Sequence, residues 1–150
     1  MSDLEIRRAT AADVPAIVAM LADDPLGAAR ETPDDPAPYE RAFAWIDADP
    51  GQHLAVAERD GRIVGTLQLT FIPGLSLRGT TRALIEAVRV HRDLRGSGLG
   101  SQLIEWAVEE ARRRGCGVVQ LTSNATRTDA HRFYERLGFA ASHVGFKRTL

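Results

Sequence analysis

Leu4-Glu5-Ile6-Arg7-Arg8-Ala9 opens the chain with an alternation of apolar and polar positions, which predicts a short strand. Thr10 with Asp13 three residues on then resembles a capping box with an acid in place of the usual Glu or Gln. Val14, Ile17, Val18 and Leu21 follow on one helical face. Asp23 to Pro38 is rich in proline and acid and reads as a loop, after which Tyr39, Ala42, Phe43 and Ile46 restore helical spacing until Asp49-Pro50-Gly51. His53 to Glu58 and Ile63 to Phe71 read as strands, and the Asp60-Gly61 between them is a hairpin signal.

Pro73-Gly74 and a polar connector lead to a third strand-like run, Ala83 to Val90. A glycine-rich turn comes next, and Leu99, Leu103, Ile104, Ala107, Val108 and Ala111 then form the apolar face of a helix that reaches Arg114, with Gly115 as its stop. Val118 to Thr122 has the pattern of a buried strand, Asp129 to Arg136 that of a further helix, and Gly138-Phe139 with His143 to Thr149 that of one or two closing strands. This order predicts one α/β or α+β domain, residues 1–150, with a mixed sheet covered by helices. No internal repeat or linker divides it.

The turn at Arg95-Gly96-Ser97-Gly98-Leu99-Gly100 changes the picture from architecture to chemistry. Glycines at alternate positions keep side chains off the backbone, so that amide N–H groups can converge on a phosphate at the positive end of a helix. The spacing is not the G-x-G-x-x-G of a dinucleotide fingerprint. A triphosphate loop needs a lysine, and the one lysine of the chain is Lys147, far downstream. The competing reading is a turn whose glycines serve only strand–helix packing.

Composition narrows the classes further. The chain has 150 residues, is 44% hydrophobic and carries a formal net charge of −1, so a general electrostatic attraction to nucleic acid is not expected. Cys116 is the single cysteine, which excludes an intramolecular disulfide and a cysteine-rich metal site and fits a reducing cytoplasm. His53, His91, His131 and His143 lack ligand spacing, so no metal is expected. The polar start, Met1 to Glu5, and the lack of a long apolar run give no sign of secretion or of a membrane. Trp45 and Trp106 are packing or interface candidates, which leaves a homodimer open.

With these elements in place the chain resembles the GNAT superfamily of acyl-coenzyme A dependent N-acetyltransferases. Val88-x-Val90 followed by Leu94 to Gly100 resembles the family's [QR]-x-x-G-x-[GA] coenzyme A loop and the strand before it. Ala130 to Phe139 resembles its A-x-x-x-Y-x-x-x-G-F helix and strand. The resemblance implies a mostly antiparallel central sheet flanked by helices, and acetyl-CoA as co-substrate. It implies that the amides of Arg95, Gly96, Ser97, Gly98, Leu99, Gly100 and Ser101 hold the pyrophosphate, and that the backbone of Val88, Arg89 and Val90 pairs with the pantetheine arm. Arg95 is then either a phosphate contact or an exposed side chain packed along the turn.

Acetyl transfer needs a base for the amine, a donor for the developing oxyanion and an acid for the departing thiolate. Glu86 lies among Leu84, Ile85, Ala87 and Val88, where partial burial would suit it to accept a proton; the alternative is a structural carboxylate paired with Arg89 or Arg82. Tyr134 matches the family's tyrosine near the coenzyme A sulfur and is the candidate acid, the alternative being a core aromatic beside Phe133 and Leu137. A backbone amide near Val88 is the expected oxyanion donor. Many relatives carry an asparagine where this chain has Arg127, so Asn124 is the candidate substitute, or else a turn residue. The acceptor is expected to be an amine on a small molecule or peptide. Acids between Asp23 and Asp49 suggest a cationic one. A non-catalytic acyl-CoA sensing module and a transferase of longer acyl groups are the alternatives.

Overall fold

The computed structural model describes residues 3–150. Five strands form one sheet in the order β1-β2-β3-β4-β5: β1 (Glu5–Arg8), β2 (Gln52–Arg59), β3 (Arg62–Ile72), β4 (Arg82–Val90) and β5 (Val118–Leu121). Neighbours are antiparallel except β4 and β5, which run parallel. Helices α1 (Val14–Ala22), α2 (Pro25–Arg30) and α3 (Ala37–Ala48) lie between β1 and β2 in the chain; the single turn α4 (Ser76–Gly79) precedes β4, and α5 (Leu99–Arg113) and α6 (Thr128–Arg136) stand on either side of β5. The mixed, mostly antiparallel sheet flanked by helices is the architecture expected.

Local chemistry explains the joints. Asp60 and Gly61, at φ 55° and 73°, make the left-handed turn that joins β2 to β3. The Thr10 N–H donates to Asp13 Oδ2 at 2.8 Å, while the Arg7 guanidinium holds both Asp13 oxygens at 2.8 and 3.1 Å. That pair ties β1 to the start of α1, and the Arg7 hydrogen bonds hold the buried Asp13 carboxyl below the usual range.

The larger core lies under α5. Leu99, Leu103, Ile104, Ala107 and Ala111 are buried against Leu67, Leu69, Ala83 and Ile85 of the sheet. Gly65 permits this approach, since a Cβ there would sit 2.9 Å from Leu103 Cδ1. Ile17 of α1 and Val56 of β2 center a smaller cluster on Ala9, with Leu21, Phe43, Leu54 and Ile63 partly buried around them.

Two expectations are corrected here. Asp23 to Pro38 is not loop throughout, because Asp24 Oδ1 accepts the Gly27 N–H at 2.5 Å and Pro25 takes the first helical position, which starts α2. No strand forms at Gly138-Phe139 or His143 to Thr149, since no segment of the same chain pairs with that backbone. The alternating pattern is present in the tail but unused.

Candidate active site

β4 is paired differently along its length. Arg82 to Ile85 lie opposite Val118 to Leu121 of β5, which then ends, so Glu86 to Val90 keep β3 on one side and have no strand on the other. The register against β3 shifts between Thr66 and Gln68, and Ala87 takes φ 53°, a bulge that turns the chain where the second edge becomes free. An open strand edge presents N–H and C=O groups to any extended ligand.

Val90 leads through a 3₁₀ turn, Arg92–Leu94, into the glycine turn. Gly96 and Gly98 adopt φ 80° and 89°, and a Cβ at either would meet nothing within 4 Å, so the backbone conformation rather than crowding calls for glycine. The amides of Gly96, Gly98, Leu99, Gly100 and Ser101 find no acceptor among the described residues, whereas Ser97 turns its N–H and hydroxyl to the Leu94 carbonyl. Buried Leu99 anchors the first turn of α5. The result is a patch of outward N–H donors at the N-terminus of a long helix, a fit to a pyrophosphate. Gly100 also lets three elements meet: a Cβ there would lie 3.5 Å from the Phe133 ring of α6 and 3.9 Å from Val90 of β4.

Tyr134 stands on that same helix, edge-on to Phe133 at 5.1 Å and to Phe139 at 6.1 Å. Burial raises its phenol above the ordinary value, with Arg127 and Arg89 pulling weakly the other way, so the proton is retained at neutral pH. Its hydroxyl donates to no group among the described residues. Glu86 is exposed, which corrects the partial burial expected of it. The alternation of β4 sends Ala83 and Ile85 into the core and Glu86 to the opposite face, and the carboxylate has no ion-pair partner among the described residues, neither Arg89 nor Arg82.

Other side chains behave locally. Asn124 Oδ1 accepts from the Thr126 N–H at 3.0 Å and hydroxyl at 2.7 Å, closing its own turn. Arg95 is exposed and donates to the Asp23 carbonyl at 3.2 Å. Asp23 also binds Arg92, through Nε at 3.0 Å, while Asp24 lies 3.4 Å from Arg89. Asp23, Asp24 and Arg127 are therefore parts of this region that sequence reading missed as such. The Asp24-Pro25 helix start was the available signal for the acids, and Arg127 showed only as a departure from the family pattern.

A pocket of about 160 Å³ lies beside the bulge, between α1, α3 and the sheet. Val18, Leu21, Phe43, Ile46 and Leu67 line it with Ala87, and no acid is among its walls. Acids such as Asp34, Asp35, Glu40 and Asp47 face solvent instead.

Residues 16–139 match the model of the acetyltransferase (GNAT) family. The chain belongs to that family. It is 34% identical over 146 residues to an aminoalkylphosphonate N-acetyltransferase of Salmonella typhimurium, covering 97% of this chain and 91% of that one. It is 32% identical to an L-methionine sulfoximine/L-methionine sulfone acetyltransferase of Pseudomonas aeruginosa, over 91% of this chain and 80% of the relative. A solved structure from Bacillus halodurans C-125, described as a transcriptional regulator, superposes with a TM-score of 0.95 at 49% identity, covering 99% of this chain and 100% of that chain. This GNAT chain is thus an acetyl-CoA dependent acetyltransferase of mixed α/β fold. None of its helices, among the described residues, is long and apolar enough to cross a membrane.

Proposed function

We propose that the whole chain acts as one cytoplasmic N-acetyltransferase domain that moves an acetyl group directly from acetyl-CoA to a primary amine on a small molecule or peptide. The observation that carries this reading is the half-open strand β4 beside the free amides of Gly96, Gly98, Leu99, Gly100 and Ser101. Acetyl-CoA, when bound, supplies the acetyl group as an activated thioester. The loop amides bind its pyrophosphate, and the free edge of Val88, Arg89 and Val90 orients the pantetheine arm. Arg95 adds charge to the phosphate side by leaving its exposed contact with Asp23.

Glu86, exposed and next in the chain to Ala87 of the pocket wall, takes the amine proton, directly or through water. A backbone amide near Val88 polarizes the acetyl carbonyl, and the Tyr134 hydroxyl returns a proton to the sulfur. Retention of the phenol proton and the free hydroxyl support that role. The pocket takes the carbon skeleton of the acceptor, so the favored amines carry an apolar group rather than a second cation.

Free-thiol release tests the reading. Acetyl-, propionyl- and succinyl-CoA are each offered with a panel of alkyl, aromatic, amino-acid and polyamine acceptors. Amine-dependent release with acetyl-CoA, fastest with apolar amines, is expected. Coenzyme A binding with no release on any acceptor would favor a sensing module, and faster release from the longer donors would favor another acyl group.

A further inference from the structure

Residues paired across a sheet project to the same face, so Leu54, Gln68 and Glu86 share one, and Val56, Thr66 and Arg89 continue it. Leu54 and Val56 pack with Ile17 and Phe43, which fixes this as the face of α1, α3 and the apolar pocket. Glu86 and Arg89 thus leave β4 on the pocket's face, on either side of Ala87 of the pocket wall. A carboxylate and a guanidinium flank, along the strand, a residue that lines an apolar hollow.

The guanidinium is short of acceptors. The Arg89 side chain is 20% exposed, its Nη1 donates to the Val88 carbonyl at 2.9 Å, and its Nε is buried with no hydrogen-bond partner among the described residues. Asp24 Oδ2 lies 3.4 Å from that Nε without accepting from it, and Asp24 Oδ1 is taken by the Gly27 N–H. The Gly27 N–H first, and then the charges of Arg89, Arg30 and Arg127, hold the Asp24 carboxyl below its ordinary range. One carboxylate thus serves three guanidiniums, and a half-buried guanidinium with open donors takes a carboxylate or phosphonate through paired N–H groups. Arg127 and Arg89 also act on the Tyr134 phenol, so this open charge lies within electrostatic reach of the proposed transfer point.

We propose that the Arg89 guanidinium binds an acidic group of the acceptor, so that the preferred acceptors are amines that also carry a carboxylate or phosphonate. The amine lies on the Glu86 side of Ala87, the acid on the Arg89 side, and the carbon skeleton in the pocket between α1, α3 and the sheet. The inference deepens the reading of this pocket as the acceptor site and rests on it. An amine without an acid leaves the guanidinium unfilled, and a second cation is repelled by it.

Calorimetric titration in the presence of coenzyme A, which has no acetyl group to transfer, reads acceptor binding apart from chemistry. Leucine, its phosphonate analog and leucinamide are compared at mildly acidic pH, where all three amines are protonated. The acids are expected to bind about 10- to 100-fold tighter than the amide, and the tighter acid identifies which of the two groups the site takes. Arg89→Met keeps the apolar stem and should reduce that preference to about threefold or less. Should it fail to fold, Arg89→Gln is read the same way. Asp24→Asn keeps the cap on α2, removes the competing charge and should raise the preference. Equal affinity of wild type for acids and amide, a preference that survives Arg89→Met, or a preference that falls in Asp24→Asn would each overturn the proposal. A preference that holds while none of these amines releases thiol from acetyl-CoA would support the anion site and count against the acceptor reading of the pocket alone.

Discussion

The sides of the sheet proposed to take the donor and the acceptor are built in different ways. On the donor side α5 buries six residues along one face, Gly65 lets it close on the sheet, and the groups proposed to hold the cofactor are backbone amides fixed by helix and turn. On the acceptor side α3 buries none of its residues fully, Trp45 is 82% exposed, and an apolar pocket lies between α1, α3 and the sheet. A site made of backbone tolerates little variation, because its geometry comes from the fold itself. One made of side chains in a loose layer can change acceptor without disturbing the donor. The difference teaches that one family can keep one donor while its acceptors diverge.

Core truncation should break this contrast most strongly if it is mistaken. Leu103→Ala, wholly buried under α5, is expected to cost about 2–5 kcal/mol in denaturant unfolding. Phe43→Ala on the acceptor side is expected to cost roughly 1–2 kcal/mol, since its ring is half-buried to begin with. Equal losses at the two positions would mean that the layers are equally packed.

Gly98→Val sharpens the donor side. A β-branched residue at φ 89° is strained by about 1–3 kcal/mol, and the loop relieves this by moving its amides. Coenzyme A affinity by calorimetric titration should fall about 10- to 100-fold while the folded spectrum is retained. Unchanged affinity would separate the turn from cofactor binding.

The smallest effect is expected on the acceptor side. Ala42→Phe narrows the pocket and should raise KM for amines with bulky apolar groups about tenfold or less, leaving coenzyme A affinity as it was. A loss of coenzyme A affinity instead would join the two sides that the structure separates.

Legibility in the sequence follows the same division. The glycine turn, β4 and α5 could be read because each rests on a local signal: left-handed glycines, strand composition and a helical apolar face. The helix that carries Tyr134 was legible from motif spacing. The position of Glu86 was misread because its apolar neighbors suggested burial, whereas the strand sends successive side chains to opposite faces. The pocket could not be read at all, since it exists only where α1, α3 and the Ala87 bulge come together. The tail showed its strand pattern, but no strand of the described residues pairs with it.

The transfer step proposed at Tyr134 is where the two sides would meet, and its test is the most direct. Tyr134→Phe removes one oxygen and leaves the ring to pack on Phe133 and Phe139. Because burial lifts the phenol above its ordinary value, the wild-type enzyme should hold its turnover through neutral pH and lose this donor only at strongly alkaline pH. Steady-state kinetics of Tyr134→Phe, measured with acetyl-CoA and the best amine at neutral pH, should show kcat lowered about 10²-fold or more with acetyl-CoA affinity unchanged. A Tyr134→Phe enzyme with full kcat would contradict the assignment of this hydroxyl as the acid of the reaction.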